Sequence, residues 1–208
     1  MSDIKLVVFD CDGVMFDSLE ANREFYNHVR AQFNRPPMDE GELKYVHMHH
    51  VADSVRYLFR NYPEDQALVD AYRRDLDYTP YLRFMKMEPD LTEFLQYLRP
   101  ARKTAISTNR TTTMALVLNM FNLKDYFDMV VTAADVPRPK PHPEALELIM
   151  ESLEADKRQT IYIGDSQVDR EHSAAAGVPL IAFKNRNLDA EYHVESFMEI
   201  VKLPPFTS

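Results

Sequence analysis

The run Ile4-Lys5-Leu6-Val7-Val8-Phe9 is apolar at almost every position and stops at Asp10-Cys11-Asp12-Gly13-Val14. A strand with Leu, Val and Phe on both faces belongs in the middle of a covered sheet, since neither face suits water. Two carboxylates at its end would cost several kcal/mol, on the order of the penalty for unpaired buried charge, if nothing met them. Residues two apart on a strand point the same way, so Asp10 and Asp12 can reach one site. Cations and phosphoryl groups both suit such a site. Asp-x-Asp-Gly also fits a simple turn after a strand. A calcium loop is excluded by spacing: it needs glycine at its sixth position and glutamate at its twelfth, and these are Met15 and Ala21.

The 208 residues allow one substantial domain, or a domain with an insertion. Lys and Arg number 24 against 33 Asp and Glu, a formal charge of -9. That balance disfavours a nucleic-acid partner, which needs a basic face. No apolar run approaches the roughly 20 residues that span a bilayer, so no membrane partner is expected. Cys11 is the only cysteine, which excludes an intrachain disulfide and fits a reducing compartment. With no basic segment followed by an apolar one at the N-terminus, a cytoplasmic location is expected.

Four further segments read as short strands: 103–107 ending in Thr108-Asn109, 129–132, 160–163 ending in Gly164-Asp165, and 178–183. Helical patterns alternate with them over 91–98, 112–121, 143–153 and 167–176. This alternation implies right-handed crossovers and a parallel sheet. Ligands of such sheets bind beyond the carboxyl ends of the strands, where Asp10, Asp12, Thr108, Asn109 and Asp165 fall. The expected fold is α/β, a three-layer doubly wound parallel sheet. Residues 18–84 break the alternation with helical patterns over 18–33, 51–60 and 65–76 and no convincing strand. They read as an all-helical insertion, giving a core of 1–17 and 85–208 and a cap of 18–84. Leu203-Pro204-Pro205 reads as an extended end.

In its motifs the chain resembles the haloacid dehalogenase superfamily, in the branch with a small helical cap that includes phosphoglycolate phosphatase-like enzymes and β-phosphoglucomutase. The resemblance runs from Ile4 to about Phe183. Its carriers are Asp10-Cys11-Asp12-Gly13-Val14 with Phe16-Asp17-Ser18, Thr108-Asn109, Arg138-Pro139-Lys140-Pro141-His142-Pro143-Glu144, and Ile163-Gly164-Asp165-Ser166-Gln167-Val168-Asp169 with Ala174-Ala175-Ala176-Gly177. One departure is Met87-Glu88-Pro89-Asp90, where a glycine-containing approach to the second motif is usual.

The resemblance implies a Rossmann-like core and an Mg2+-dependent phosphatase acting on a small phosphorylated metabolite. Asp10 would be the nucleophile, forming an aspartyl-phosphate, which divides one difficult hydrolysis into two easier steps. Asp10, the Asp12 carbonyl and Asp165 would hold the metal, with Asp169 supporting them. Asp12 would act as general acid and then base, a task that calls for a raised pKa. Thr108, Asn109 and Lys140 would contact the phosphoryl oxygens, where charge spreads in the transition state.

Outside these motifs the readings stay open. Cys11 alternates away from the aspartates and reads as packing, with a redox role as the alternative. His47-Met48-His49-His50 invites a zinc site, but sequential histidines on a helix face different ways. Lys44, His47 and Arg56 are the cap candidates for contacting substrate; Arg60 is a further anion contact or part of a polar helix face. Two functions compete with the phosphatase: a phosphomutase on the same core, and a non-catalytic binding or regulatory protein on the same fold. Asp12 speaks against dehalogenation and phosphonate cleavage, neither of which uses an acid at that place. The sequence gives no reading of oligomeric state.

Overall fold

The computed structural model describes residues 4–49 and 51–207. Two compact units emerge, Met1–Phe16 with Met87–Ser208, and Asp17–Lys86. The chain passes between them through β2 (Phe16–Asp17) and β3 (Lys86–Met87), which pair as a two-stranded ribbon.

The first unit is built on six strands: β1 (Leu6–Phe9), β4 (Lys103–Ser107), β5 (Met129–Val131), β6 (Thr160–Gly164), β7 (Leu180–Phe183) and β8 (Tyr192–Val194). Their order is β5-β4-β1-β6-β7-β8, and every neighbouring pair is parallel. The chain works outward from β1 through β4 to β5, then returns to the other side of β1 with β6. The strand order therefore switches direction beside β1, the place where open sheets of this kind bind ligands.

Both faces of β1 are covered, as its composition requires. Leu6 and Val8 join a cluster with Ala145, Leu146 and Ile149 of α7 (Glu144–Ser152). On the other face Phe9 packs edge-on to Phe94 of α5 (Leu91–Leu98) and against Phe197 of α9 (Phe197–Ile200). The remaining helices of this unit are α6 (Met114–Met120) and α8 (Gln167–Ala176). This is the expected three-layer α/β fold.

Two expectations at the carboxyl end are corrected. The sheet gains β8 and the short α9, neither of which carries a clear periodic pattern. Pro204–Phe206 forms a 3-10 turn with Pro205 and Phe206 buried, so the tail is not an extended end. Phe206 joins the Phe94 ring cluster at 6.3 Å between centroids, and the area that ring removes from water holds the turn down.

The second unit consists of α1 (Leu19–Gln32), α2 (Glu40–Met48), α3 (Val51–Leu58), α4 (Gln66–Asp75) and a 3-10 turn over Thr79–Phe84. Phe25 packs edge-on to Tyr81 at 5.4 Å and against Tyr78 at 5.2 Å. The buried Arg30 guanidinium reaches Glu42 at 2.6 Å. Helix α2 was not among the expected patterns. Its start is a capping box: the Asp39 side chain accepts from the Glu42 N–H, and Glu42 accepts from the Asp39 N–H.

Candidate active site

Beyond the carboxyl ends of β1, β4 and β6 the polar residues gather into two linked groups. The first is centred on Lys140. Its ammonium lies 2.7 Å from Asp10 Oδ1 and 2.8 Å from Asp169 Oδ1, and it donates to the Tyr162 hydroxyl at 3.1 Å. Tyr162 in turn donates to the same Asp169 oxygen at 2.7 Å. All four side chains are buried. Burial alone would lower the Lys140 pKa, but the flanking Asp10 and Asp169 carboxylates hold it well above the usual lysine range.

Asp169 occupies the third position of α8 and completes a second capping box with Ser166. Its Oδ2 accepts from the Ser166 hydroxyl at 2.7 Å and from the Ser166 and Asp165 amides at 3.1 and 3.2 Å. Burial would push its pKa up, yet Lys140, Ser166 and Tyr162 together hold it down at about 2. Gly164 makes this closeness possible, since a Cβ there would stand 2.4 Å from Asp169 Cβ.

Asp165 follows β6 directly, and its carbonyl accepts from Asn185 Nδ2 at 2.7 Å. Carboxylate oxygens of Asp10, Asp165 and Asp169 lie within 4.8 Å of one another, close enough to share one cation. Burial, and then the Asp169 and Asp10 charges, raise Asp165 to about 8. Burial raises Asp10 to about 7, against the pull of Lys140. Three carboxylates against one ammonium leave a deficit of positive charge that a hard divalent cation would fill. Asp169 is already committed through both oxygens, so Asp10 and Asp165 are the residues placed to ligate. Gly13, at φ +80°, lies against this centre: a Cβ there would be 2.2 Å from Asp165 Oδ2.

The second group is centred on Arg110, a residue the sequence reading did not single out. Its Nε donates to Asp12 Oδ2 at 2.7 Å and its Nη2 to Asp12 Oδ1 at 2.6 Å, a two-pronged pair. Nη1 donates to Thr113 Oγ1 at 3.2 Å, and the Arg110 amide donates to Thr108 Oγ1 at 3.1 Å. The available signal was its place directly after Thr108-Asn109 at the end of a buried strand. Asn109 connects the groups, donating from Nδ2 to the Lys140 carbonyl at 3.2 Å. Its Oδ1 is buried and without a hydrogen-bond partner among the described residues.

Behind the site His172 is buried. Its Nδ1 lies 2.6 Å from the His142 carbonyl, which only accepts, so Nδ1 carries the proton and Nε2 accepts from Ser107 Oγ at 3.0 Å. Burial, and then the Lys140 charge, lower His172 to about 3, so the ring is neutral. Cys11 is fully buried, and burial followed by the Asp12 charge raises its thiol well above the ordinary range. A thiol so disfavoured as thiolate packs rather than reacts.

The cap candidates lie in the second unit. Lys44 is exposed on α2, and Arg56 is exposed and 2.9 Å from Asp53. His47 Nδ1 accepts from Asn22 Nδ2 at 3.3 Å. His49 stacks on Tyr45 at 3.8 Å, while His50 lies outside the described residues. Among the described residues the one carboxylate, histidine or cysteine cluster close enough to share an ion is the aspartate triad, not the histidines.

A doubly wound parallel sheet with three carboxylates and a buried lysine meeting at its switch point defines an α/β enzyme with an acidic centre able to accept a cation. The chain belongs to the haloacid dehalogenase-like hydrolase family, whose model matches residues 7–183. It is 29% identical to a phosphoglycolate phosphatase of Rhodobacter capsulatus, over 95% of this chain and 94% of that one. It is 24% identical to the pyrophosphatase PpaX of Oceanobacillus iheyensis, over 96% and 94%. A crystal structure of a subfamily IA hydrolase from Geobacter sulfurreducens shares 37% identity and a TM-score of 0.81, covering 96% of each chain. A β-phosphoglucomutase from Clostridium difficile, 18% identical with a TM-score of 0.81 over 95% of this chain and 93% of that one, shares the fold. Membership of a hydrolase family displaces the reading of a non-catalytic protein. No helix among the described residues is long and apolar enough to cross a membrane.

Proposed function

We propose that this protein is an Mg2+-dependent phosphatase that hydrolyses a small phosphorylated metabolite through an aspartyl-phosphate on Asp10. The observation that carries it is the Lys140 ammonium 2.7 Å from Asp10 Oδ1, beside Asp165 and at the end of the central strand. A carboxylate held this way has its attacking oxygen fixed next to a cation that also neutralises incoming phosphoryl oxygens. Bound Mg2+ would lie between Asp10, the Asp12 carbonyl and Asp165, and would offset the repulsion between Asp10 and a dianionic phosphate.

In the first step an Asp10 oxygen bonds to phosphorus as the bond to the leaving oxygen breaks, and Asp12 gives that oxygen its proton. In the second, water bonds to phosphorus, the Asp10–phosphorus bond breaks, and Asp12 takes the proton back. Thr108 and Lys140 steady the phosphoryl oxygens. Asn109 ties the Lys140 loop to the end of β4, a role of support more than contact. Asp169 fixes Lys140.

Residues 1–17 and 85–208 form the catalytic part on this reading, and 18–84 the cap that sets the substrate through residues such as Lys44, His47 or Arg56. The names of the two curated relatives support phosphoglycolate or pyrophosphate as first substrates to try. The lone buried Cys11 accords with a cytoplasmic enzyme. The test is hydrolysis of a panel of phosphate esters with Mg2+ and with chelator, alongside Asp10→Asn. Activity that needs the metal and vanishes in a folded Asp10→Asn is expected. Full activity in that variant would refute the covalent route.

A further inference from the structure

We propose that the amino edge of the sheet, opposite the catalytic one, carries a second binding site, for a small molecule bearing more than one phosphoryl group. The site is a cavity of about 550 Å³ in the first unit, lined by Lys5, Arg99, Arg102 and Lys103. Lys5 stands directly before β1, Lys103 opens β4, and Arg99 follows α5. At the rise of a strand, Asp10 lies about 16 Å along the chain from Lys5. The proposal therefore does not rest on the phosphatase reading.

The chain as a whole carries a formal charge of -9, so four cations around one cavity reverse the sign locally. What orients them is neutral. Arg102 Nε donates to the Ile4 carbonyl at 3.1 Å, and its guanidinium lies 5.2 Å from the Phe206 ring centroid. Lys103 Nζ donates to the Leu153 carbonyl at 3.1 Å. The Arg99 guanidinium lies 5.4 Å from the Tyr126 ring centroid. Carbonyls and rings fix a cation without cancelling its charge. Among the described residues no ion pair joins any of the four to a carboxylate.

Two features oppose an anion here, and neither suffices. Asp128 and Glu154 also line the cavity, but two carboxylates do not balance four cations, and Asp128 Oδ2 is committed to the Thr104 amide at 2.8 Å. Helices α5 and α7 both end here, with Arg99 and Leu153 as their last caps. Each helix end supplies about half a negative charge, less than the guanidinium or ammonium set against it. A surplus of positive charge remains, beside an apolar lining of Ala101, Leu153 and Ala155. The volume falls within the roughly 300–1,000 Å³ of small-molecule sites, more room than one phosphate ion fills. Arginine forks match phosphoryl oxygens in pairs and lysines add point charges. Only a ligand with several phosphoryl groups engages both kinds of cation at once.

The experiment is calorimetric titration of the protein with inorganic tripolyphosphate and with orthophosphate, in EDTA so that no metal draws either to the acidic edge. The wild type should bind tripolyphosphate about tenfold or more tighter than orthophosphate. Lys5→Gln with Arg99→Gln, both at exposed positions, should weaken tripolyphosphate binding by about tenfold or more, the worth of one hydrogen bond to a charged group. Lys5→Arg with Arg99→Lys keeps both charges and should bind nearly as the wild type does. So should Arg186→Gln with Lys202→Gln, which removes the same charge from exposed positions outside the cavity lining. A wild type that binds no tripolyphosphate, or binds orthophosphate equally well, would overturn the proposal. Equal weakening by the two glutamine pairs would do so too, since diffuse charge and not the cavity would then hold the ligand. Unweakened binding in Lys5→Gln with Arg99→Gln would place the ligand elsewhere and overturn it as well.

Discussion

Replacing Lys140 by Met removes the one ammonium shared by Asp10 and Asp169 while keeping the length of the side chain. The bonds lost are 2.7 and 2.8 Å to carboxylates and 3.1 Å to a hydroxyl. The two carboxyl side chains left behind are 10% and 0% exposed. Removing one partner of a buried ion pair costs about 3–5 kcal/mol, because the remaining charge is stranded away from water. The cost should depend on pH. Asp10 already stands at about 7 with Lys140 beside it, and without the ammonium it rises further. Asp169, held at about 2 chiefly against burial by Lys140, rises as well. A carboxyl whose folded pKa exceeds its unfolded value contributes stability at low pH and loses it as pH climbs through the folded value. The variant should therefore be destabilised by the full amount at pH 8 and by much less at pH 5. Urea titrations with chelator at both values measure this, with Tyr162→Phe as the comparison. Tyr162→Phe removes an uncharged donor and should cost about 1–3 kcal/mol with little pH dependence. A Lys140→Met penalty equal at pH 5 and pH 8, or larger at pH 5, would refute the reasoning.

Mg2+ should raise the melting temperature at pH 8 and do so far less at pH 5.5, because Asp10 at about 7 and Asp165 at about 8 are then protonated and cannot ligate. A shift of the same size at both values would count against these ligands. Gly13→Ala should destabilise by at least about 1 kcal/mol through its left-handed φ, and should displace Asp165, 2.2 Å from the new Cβ. Calorimetry should then find Mg2+ affinity reduced well beyond that of a surface Gly41→Ala control. His172 is lowered to about 3 in the fold, so the unfolded chain takes a proton that the fold refuses. The wild type should lose stability relative to His172→Gln as pH falls from about 6.5 toward 3, and parallel denaturation curves over that range would contradict the neutral ring.

Much of this molecule was legible from its sequence because two periodicities did not conflict. The run 6–9 is apolar on both faces, 103–107 and 160–164 mix apolar with small and hydroxyl-bearing residues of strand length, and the helices between them bury one stripe, so a covered parallel sheet follows. Asp10, Thr108 and Asp165 each stand one residue past a strand, which brings them to one edge without knowledge of side chains. What stayed hidden lacked such a period. Tyr192–Val194 is three residues long and polar at its flanks, too short to show alternation. Helix α2 carries Gly41 in its first turn, which masked it, although Asp39 and Glu42 spelled out a capping box. Pro204-Pro205 reads as a breaker, and only the aromatic cluster around Phe94 explains why it is buried. Arg110 eluded the reading for a different reason. Its place after Thr108-Asn109 puts it at the sheet edge, but nothing local names a partner that lies 98 residues away.

Asp169 shows how the legible and hidden parts meet. Taken locally it is an acid in the first turn of a helix, where it satisfies otherwise orphaned amides and faces the positive end of the helix dipole. Only one of its oxygens does this. The other holds Lys140 and Tyr162, so the rule that starts α8 also sets where the ammonium stands relative to Asp10. The two tasks cannot be separated by moving the residue along the helix. One position earlier or later would turn the carboxylate off the capping amides, and a Cβ on Gly164 would push it away from both. Lys140 then has a fixed anchor on one side and leaves its opposite face to Asp10. Of the three carboxylates in this cluster, Asp169 is the one the fold spends on structure, which leaves Asp10 and Asp165 as the pair placed to take a shared cation.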